Sequence, residues 1–248
     1  MRKILVNPES IKIDQGYFFG KVVFETINCL DKPILLDDHL ERLSSGLKML
    51  NLKEIDKETI KEQISKLNIK NKVLKITVSD ENIIFTERDN PYINFDYNKS
   101  MSLTKTNVLR NSTSILSYIK SGCYIENIIE KNNAIKKGFN DALFTNEKNN
   151  VAETSCANIF FVKGEKIITS KIEDGILSGI IRKWVIDNFE VFEKNISYNN
   201  IEEFDEVFIT NSLMGIVNVN KIDNITYDNR KITDKLMMKY KETVQLEE

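Results

Sequence analysis

A single histidine, His39, stands among 248 residues, and that scarcity removes whole classes of chemistry. A Ser-His-Asp hydrolase would have to be built around it, yet no nucleophile elbow or P-loop accompanies it, so His39 reads as a helix start or cap. Cysteine is nearly as rare. Cys29, Cys123 and Cys156 are an odd number with no Cys-x-x-Cys spacing, which points to neither a zinc site nor a disulfide framework and sets the expectation of a reducing cytoplasm. Cys123 and Cys156, close in sequence to Lys120 and Glu153, read as small buried filler or as thiols beside a group that those two residues would hold. No apolar run approaches the roughly 20 residues that a membrane span needs. Cations are not in excess either: the net charge is -2, whereas a nucleic-acid binder neutralises phosphates with clustered surplus Lys and Arg. Asn-x-Ser/Thr matches such as those at Asn111, Asn195 and Asn224 stand in a chain that shows no leader peptide, and read as chance. No repeat or low-complexity tract is present.

What the chain does contain is a lysine, a carboxylate and a helix start in a suggestive order. Lys120 offers an amine for a Schiff base. Glu153 lies in Val151-Ala152-Glu153-Thr154-Ser155, which reads as a strand, where a buried carboxylate is costly unless a cation faces it. The glycine turn Leu177-Ser178-Gly179 runs into a helix beginning Ile180-Ile181-Arg182, whose free N–H groups and positive dipole end suit a phosphate dianion. Arg42, in His39-Leu40-Glu41-Arg42-Leu43, adds a fixed fork of donors. An amine, an anion for a protonated heterocyclic nitrogen and a phosphate cradle are together what pyridoxal phosphate requires. Singly each has a plain reading as well: a solvated lysine, an exposed strand glutamate, an ordinary loop, a surface ion pair worth about 0 to 1 kcal/mol.

Five blocks occur in sequence: Phe24-Glu25-Thr26, His39 to Leu43, Glu153-Thr154-Ser155-Cys156-Ala157-Asn158-Ile159-Phe160, Gly175-Ile176-Leu177-Ser178-Gly179-Ile180-Ile181-Arg182, and Asn211-Ser212-Leu213-Met214-Gly215. In these the chain resembles the class IV aminotransferase family from about Ile4 to about Asp223. The resemblance implies a two-domain α+β enzyme of fold-type IV, like D-amino-acid aminotransferase, with pyridoxal phosphate in the interdomain cleft. It makes Lys120 the Schiff-base lysine and proton shuttle and Glu153 the partner of the ring nitrogen. It also sets Tyr124 against the ring hydroxyl, and Arg42, the backbone of Ile180 and Ile181, and the Ser212 hydroxyl around the phosphate. The first and last blocks look like the lyase branch, and Tyr124 is atypical of D-amino-acid aminotransferases. The implied reaction is therefore that of 4-amino-4-deoxychorismate lyase, which releases pyruvate and forms p-aminobenzoate for folate synthesis. The alternative is an aminotransferase acting on D- or branched-chain amino acids, and a non-catalytic relative is a third reading. The resemblance also implies a small-molecule amino substrate and a homodimer.

Some positions depart from the family pattern. Ser79-Asp80-Glu81-Asn82 replaces an arginine and glycine motif that commonly recognises the substrate carboxylate, and Arg88, Lys105 and Arg110 are candidates to replace it, each with the plain reading of a surface charge. Gly20-Lys21-Val22, Ser121-Gly122-Cys123 and Asn218 also differ.

The layout expected from periodicity is an N-terminal α+β domain over residues 1–110, a polar linker over 111–114, and a C-terminal α+β domain over 115–248 that carries Lys120. In the first, strands are expected at Ile4 to Val6, Val22 to Cys29, Ile34 to Leu36, Val73 to Val78 and Ile83 to Thr86. Helices run through Leu40, Leu43, Leu47 and Leu50 and through Ile60, Ile64 and Leu67. In the second, a helix through Ile125 to Ile135 ends near Gly138. Strands follow at Ala142 to Thr145, Asn158 to Val162, Ile167 to Thr169, Val191 to Phe192 and Glu206 to Thr210, and Leu236, Met237, Tyr240 and Val244 mark a closing helix.

Overall fold

The computed structural model describes residues 2–247. The chain forms two compact units: Met1–Asn94 with Ile119–Cys123 and Val244–Glu248, and Phe95–Tyr118 with Tyr124–Thr243. Both mix helix and sheet, the α+β class expected. Among the described residues no helix is long and apolar enough to cross a membrane.

The first unit contains β1 (Lys3–Val6), α1 (Gln15–Phe19), β2 (Val23–Cys29), α2 (Leu36–Met49), α3 (Lys57–Leu67), β3 (Lys72–Val78) and β4 (Asn82–Asp89), with its sheet in the order β1-β4-β3-β2. Alternation decides which side chains enter its core. Ile27 and Cys29 of β2, Leu74 and Ile76 of β3 and Phe85 of β4 meet Leu40, Leu43 and Leu47 of α2 and Ile60 and Ile64 of α3, each large aliphatic contributing about 1.5–3 kcal/mol by leaving water. Gly46 permits the close approach of α2 to β2, since a Cβ there would meet Val23 Cγ1 at 2.8 Å. α3 is capped by Asp56, whose carboxylate accepts from the Glu58 N–H at 3.2 Å, a cap worth about 1 kcal/mol.

At the other end of α2 the sequence expectation fails: Ile34 to Leu36 is not a strand. A single bridge joins Cys29 and Pro33, and Leu35 takes φ 51° as the chain turns into the helix. The apolar run Ile34-Leu35-Leu36 mimics a buried strand but is the entry to α2. α1, whose N-terminus Asp14 caps through Gly16 N–H at 2.8 Å, was not anticipated.

The second unit contains β5 (Met101–Arg110), α4 (Ile125–Lys136), β6 (Asp141–Asn146), β7 (Val151–Thr154), β8 (Asn158–Lys163), β9 (Lys166–Ser170), α5 (Ile180–Asn188), β10 (Val191–Lys194), β11 (Glu206–Asn211), β12 (Gly215–Ile222), β13 (Ile225–Thr226) and α6 (Lys231–Glu247). Its strands run β10-β9-β8-β11-β12-β5-β6-β7, with β13 on β12, and a further pairing of β7 with β8 closes six of them into a ring. The closing pair is Glu153 opposite Asn158. Strands β6 and β7 are buried at every position, covered on both faces although half of their residues are polar. Phe160 and Phe208 stack at 4.7 Å between ring centres in the interior.

The domain boundary needs correction. Met101–Arg110, assigned from sequence to the first domain, pairs with β6 and β12 and so belongs to the second unit. Lys120, assigned to the second, belongs to the first. β2 is the last strand of its sheet, and its outer edge is covered by residues 120–122: Phe24 N–H donates to Lys120 O and Gly122 N–H to Val22 O, both at 2.9 Å. An exposed edge that gains partners is the physical reason for the crossing. The Ser121-Gly122-Cys123 departure fits the same contact, because a Cβ on Gly122 would lie 2.5 Å from Val22 Cγ1.

Candidate functional site

In the first unit, α2 places two side chains one turn apart against one carboxylate of β2. Glu25, fully buried, accepts from Arg42 Nε and Arg42 Nη2 at 2.7 Å each and from His39 Nδ1 at 2.6 Å. Burial pushes the Glu25 carboxyl up, but the Arg42 guanidinium and His39 outweigh it and hold the group at about 2. An ionised carboxylate only accepts, so the His39 Nδ1 carries the proton. His39 is itself buried, and burial keeps it below its ordinary range although Glu25 pulls the other way. The imidazole is thus a neutral member of a buried triad, neither helix start nor cap. Arg42 is not a surface ion pair: it makes a bidentate pair with Glu25, which fixes the plane of its guanidinium.

On the sheet's edge, half-buried Lys120 sits with its Nζ 4.5 Å from the centre of the Phe24 ring. The pairing with β2 described above fixes its backbone. Lys75 Nζ lies 4.3 Å from the same ring, a cation the sequence reading did not single out.

In the second unit, Glu153 enters a continuous polar chain. Its Oε2 accepts from the Leu177 N–H at 3.0 Å, and its Oε1 lies 3.2 Å from Arg110 Nε. The Arg110 guanidinium rests 3.8 Å from the centre of the Phe144 ring and donates from Nη1 to Asn127 Oδ1 at 3.1 Å. Asn127 Nδ2 and Tyr124 Oη both donate to Ser155 O, at 2.6 and 3.0 Å, and Ser155 Oγ donates to buried Asp141. Burial, then Cys156 and Glu153, push the Tyr124 hydroxyl up, so it stays a neutral phenol at physiological pH. Cys156 is held up at about 11 by burial and by Asp141, and its Sγ lies 3.6 Å from Lys131 Nζ. Cys123, read as buried filler, is exposed.

Arg110 is the residue that sequence reasoning placed wrongly. Read as a surface charge that could meet a substrate carboxylate, it is 7 % exposed and engaged with Glu153. Its signal lies in pairing: β5 runs beside β6, and β6 beside β7, which carries Glu153. Of the other two candidates, Lys105 donates to Asn149 Oδ1 at 2.7 Å and lies over the Tyr198 ring, and Arg88 ends exposed on β4.

The phosphate side of the expected set falls at two turns. Gly179 caps α5 without a side-chain hydrogen bond, which leaves the Ile180 and Ile181 amides at an uncapped helix start. A Cβ at 179 would fall 1.9 Å from Asn158 Oδ1, and Asn158 is itself tied to Leu177 O at 2.8 Å, so only glycine fits this cradle. Ser212 heads the turn after β11, which Asn211 Oδ1 shapes by accepting from the Leu213 and Met214 N–H groups at 2.9 and 2.8 Å.

These residues suit the group they were expected to hold. Lys120 and Arg42 belong to one unit, and Glu153, Tyr124, Ile180, Ile181 and Ser212 to the other. Each is by itself of a kind that such a group takes: a carboxylate flanked by a cation for a pyridinium nitrogen and, for a phosphate, an uncapped helix start with room only for glycine or a guanidinium locked in plane. Tyr124 fits less directly, because its O–H is turned to Ser155.

Comparison with known proteins agrees. The family model for amino-transferase class IV matches residues 22–222. The aminodeoxychorismate lyase of Bacillus subtilis is 27% identical over 94% of this chain and 88% of its own. A solved structure from Legionella pneumophila, provisionally named a 4-amino-4-deoxychorismate lyase, is 32% identical with a TM-score of 0.86, covering 96% of this chain and 98% of that one. A probable branched-chain-amino-acid aminotransferase of Rickettsia conorii is 34% identical, over 48% of this chain and 43% of its own. The match to the family model covers well over half of the sequence, and the chain belongs to the class IV amino-transferase family of pyridoxal-phosphate enzymes.

Proposed function

We propose that this chain is a 4-amino-4-deoxychorismate lyase, which cleaves the enolpyruvyl ether of its substrate to give p-aminobenzoate and pyruvate for folate synthesis in the cytoplasm. The observation that carries the reading is the extent of likeness. The Bacillus lyase aligns along 94% of the chain, whereas the Rickettsia aminotransferase aligns along 48%. The Phe24-Glu25-Thr26 and Asn211 to Gly215 blocks support it.

When bound, the coenzyme supplies an electron sink for the charge left as the substrate carbon loses its proton. Lys120 Nζ is proposed as the base that removes that proton from the carbon bearing nitrogen. The bond between the ring carbon and the enolpyruvyl oxygen then breaks, which aromatises the ring, and the enolpyruvate released takes up a proton to become pyruvate. Glu153, beside Arg110, is proposed to face the ring nitrogen, and Tyr124 the ring hydroxyl, exchanging its bond to Ser155 O. Arg42, the Ile180 and Ile181 amides and the Ser212 hydroxyl are proposed to hold the phosphate.

The reaction distinguishes the two readings. Purified protein supplied with pyridoxal phosphate and 4-amino-4-deoxychorismate should form p-aminobenzoate and pyruvate in equal amounts with no keto acid added. Formation of keto acid from L-leucine or D-alanine with 2-oxoglutarate, and no p-aminobenzoate, would establish the aminotransferase reading, which the half-length matches favour.

A homodimer is part of the same proposal. α4 displays Ile125, Ile128, Ile129 and Ile135 at 66%, 51%, 48% and 52% exposure, a stripe at helical spacing too apolar for a helix face that meets only water. Sedimentation at micromolar concentration should give twice the chain mass, and Ile129→Glu should shift it towards the monomer. A monomeric wild type would contradict the dimer.

A further inference from the structure

The second unit has a polar cleft that none of the coenzyme assignments uses. It measures about 460 Å³ and lies among the turn between β6 and β7, the loop after β9 and strand β10, a volume in the range of small-molecule sites. Its walls are exposed and charged: Lys148 comes from the turn, Lys171 and Glu173 from the loop, and Glu193 from β10, with Asn195 just beyond that strand. Asp174 is the exception. It lines the cleft yet is only 4% exposed, which sets it at the base.

Local structure fixes the Asp174 carboxylate. Asn146 ends β6 and turns the chain, its Oδ1 accepting from the Lys148 and Asn150 N–H groups at 3.0 Å each. The same turn aims two amides at one oxygen: Asn146 Nδ2 and Asn150 Nδ2 donate to Asp174 Oδ1 at 2.9 and 3.0 Å. The other oxygen, Oδ2, is buried and has no hydrogen-bond partner among the described residues. A buried acceptor left unmet is a cost to the fold that a donor from outside the chain relieves.

Charge on the walls says what kind of donor that is. Glu193 is answered by Arg182, whose Nη2 donates to it and to Ser170 O. Lys148 and Lys171 have no acid within ion-pair distance among the described residues. No group of three or more acid, histidine or cysteine side chains among those residues could hold a metal ion, so the donor that suits Asp174 is an organic cation. Two ammoniums on the same walls call for an anion on the same molecule. Ile172 alone among the lining residues is apolar, which offers little to an aromatic or long aliphatic ligand.

We propose that this cleft is an accessory site for a small zwitterion, a free α-amino acid with a short polar side chain. Its ammonium meets Asp174 Oδ2 and Glu173, and its carboxylate meets Lys148 and Lys171. The proposal is independent of the choice between lyase and aminotransferase, because none of these residues belongs to the coenzyme set. The loop that the ligand clamps leads from Asp174 within three residues to Leu177, whose N–H donates to Glu153.

The test uses the holoenzyme after borohydride treatment, in which the reduced coenzyme no longer exchanges amines, so that an amine at the coenzyme does not imitate binding in the cleft. L-Serine is the probe. Its one-charge counterparts are 3-hydroxypropionate, which lacks the ammonium, and ethanolamine, which lacks the carboxylate. Calorimetric titration should show one L-serine per chain with a dissociation constant on the order of 1 mM, and either counterpart should bind at least about tenfold more weakly. At about 20 mM, L-serine alone of the three should raise the thermal melt by a few degrees. Asp174→Asn keeps the oxygen that Asn146 and Asn150 hold and turns the unmet one into an amide, so it should melt as the wild type does and bind L-serine at least about tenfold more weakly. Lys171→Gln, on an exposed residue, should weaken binding from the other end, and it decides the matter alone if Asp174→Asn fails to fold. Ethanolamine binding as tightly as L-serine would overturn the zwitterion assignment. No saturable binding to the wild type, or binding undiminished in the folded variants, would overturn the site.

Discussion

Glu25→Ala is expected to remove about 3 to 5 kcal/mol of stability, a large part of what a domain of this size holds. The side chain is fully buried and accepts from His39 and twice from Arg42. Truncation leaves a guanidinium whose side chain is only 15% exposed without its counter-charge, and an imidazole N–H without its acceptor. Glu25→Gln keeps the shape but turns one acceptor into a donor that faces Arg42 or His39, so it too should be strongly destabilised. The same carboxylate predicts an acid limb. It titrates at about 2 in the fold against an ordinary 4.5, so the folded state binds fewer protons in between. Its contribution is fully present above about pH 4.5 and is lost as pH falls towards 2, on the order of 3 kcal/mol in all. His39, held below its ordinary range, acts in the same direction from about pH 6.5 downward. Urea unfolding of wild type and Glu25→Ala at pH 7 and pH 4 checks both points: a loss under 1 kcal/mol, or wild-type stability unchanged between the two pH values, would mean that the triad does not hold α2 to β2. Because Arg42 is held in plane by Glu25, coenzyme affinity should fall along with stability.

The second large effect is on turnover. Lys120→Ala should lower kcat for p-aminobenzoate formation by at least about a thousandfold, since it removes the amine proposed both to bind the coenzyme and to move the proton. Little stability should be lost with it. The residue is half-buried, and what joins it to β2 is backbone, the Lys120 carbonyl accepting from Phe24 N–H, which alanine keeps. The side chain gives up a cation–π contact worth about 0.5–1 kcal/mol at an exposed site. A thermal melt within a few degrees of wild type beside absent turnover is the expected pair. Turnover within tenfold of wild type would assign the base elsewhere.

Much of this was legible from residue order and periodicity. The Leu40, Leu43, Leu47 stripe gives α2, and the Ile180 start of α5 follows from the glycine turn, because both depend on local signals. β5 and β12 were not read as strands. Their residues, Met101-Ser102-Leu103-Thr104-Lys105 and Gly215-Ile216-Val217-Asn218-Val219-Asn220, do alternate apolar and polar side chains, but over short stretches, and what fixes them as strands is the neighbour each gains. The site divides in the same way. Lys120 and Glu153 stand out by motif, whereas Arg110, His39 and Lys75 do not, because each takes its meaning from a residue distant in sequence: Arg110 from Glu153, His39 from Glu25, Lys75 from Phe24.

The most direct test of the central claim is where the coenzyme attaches. Protein incubated with pyridoxal phosphate, reduced with borohydride and mapped by peptide mass spectrometry should carry the phosphopyridoxyl group on the peptide containing Lys120, at one group per chain, with the remaining lysines unlabelled. Label spread over surface lysines, or none at Lys120, would contradict the assignment of this chain as a pyridoxal-phosphate enzyme built on Lys120.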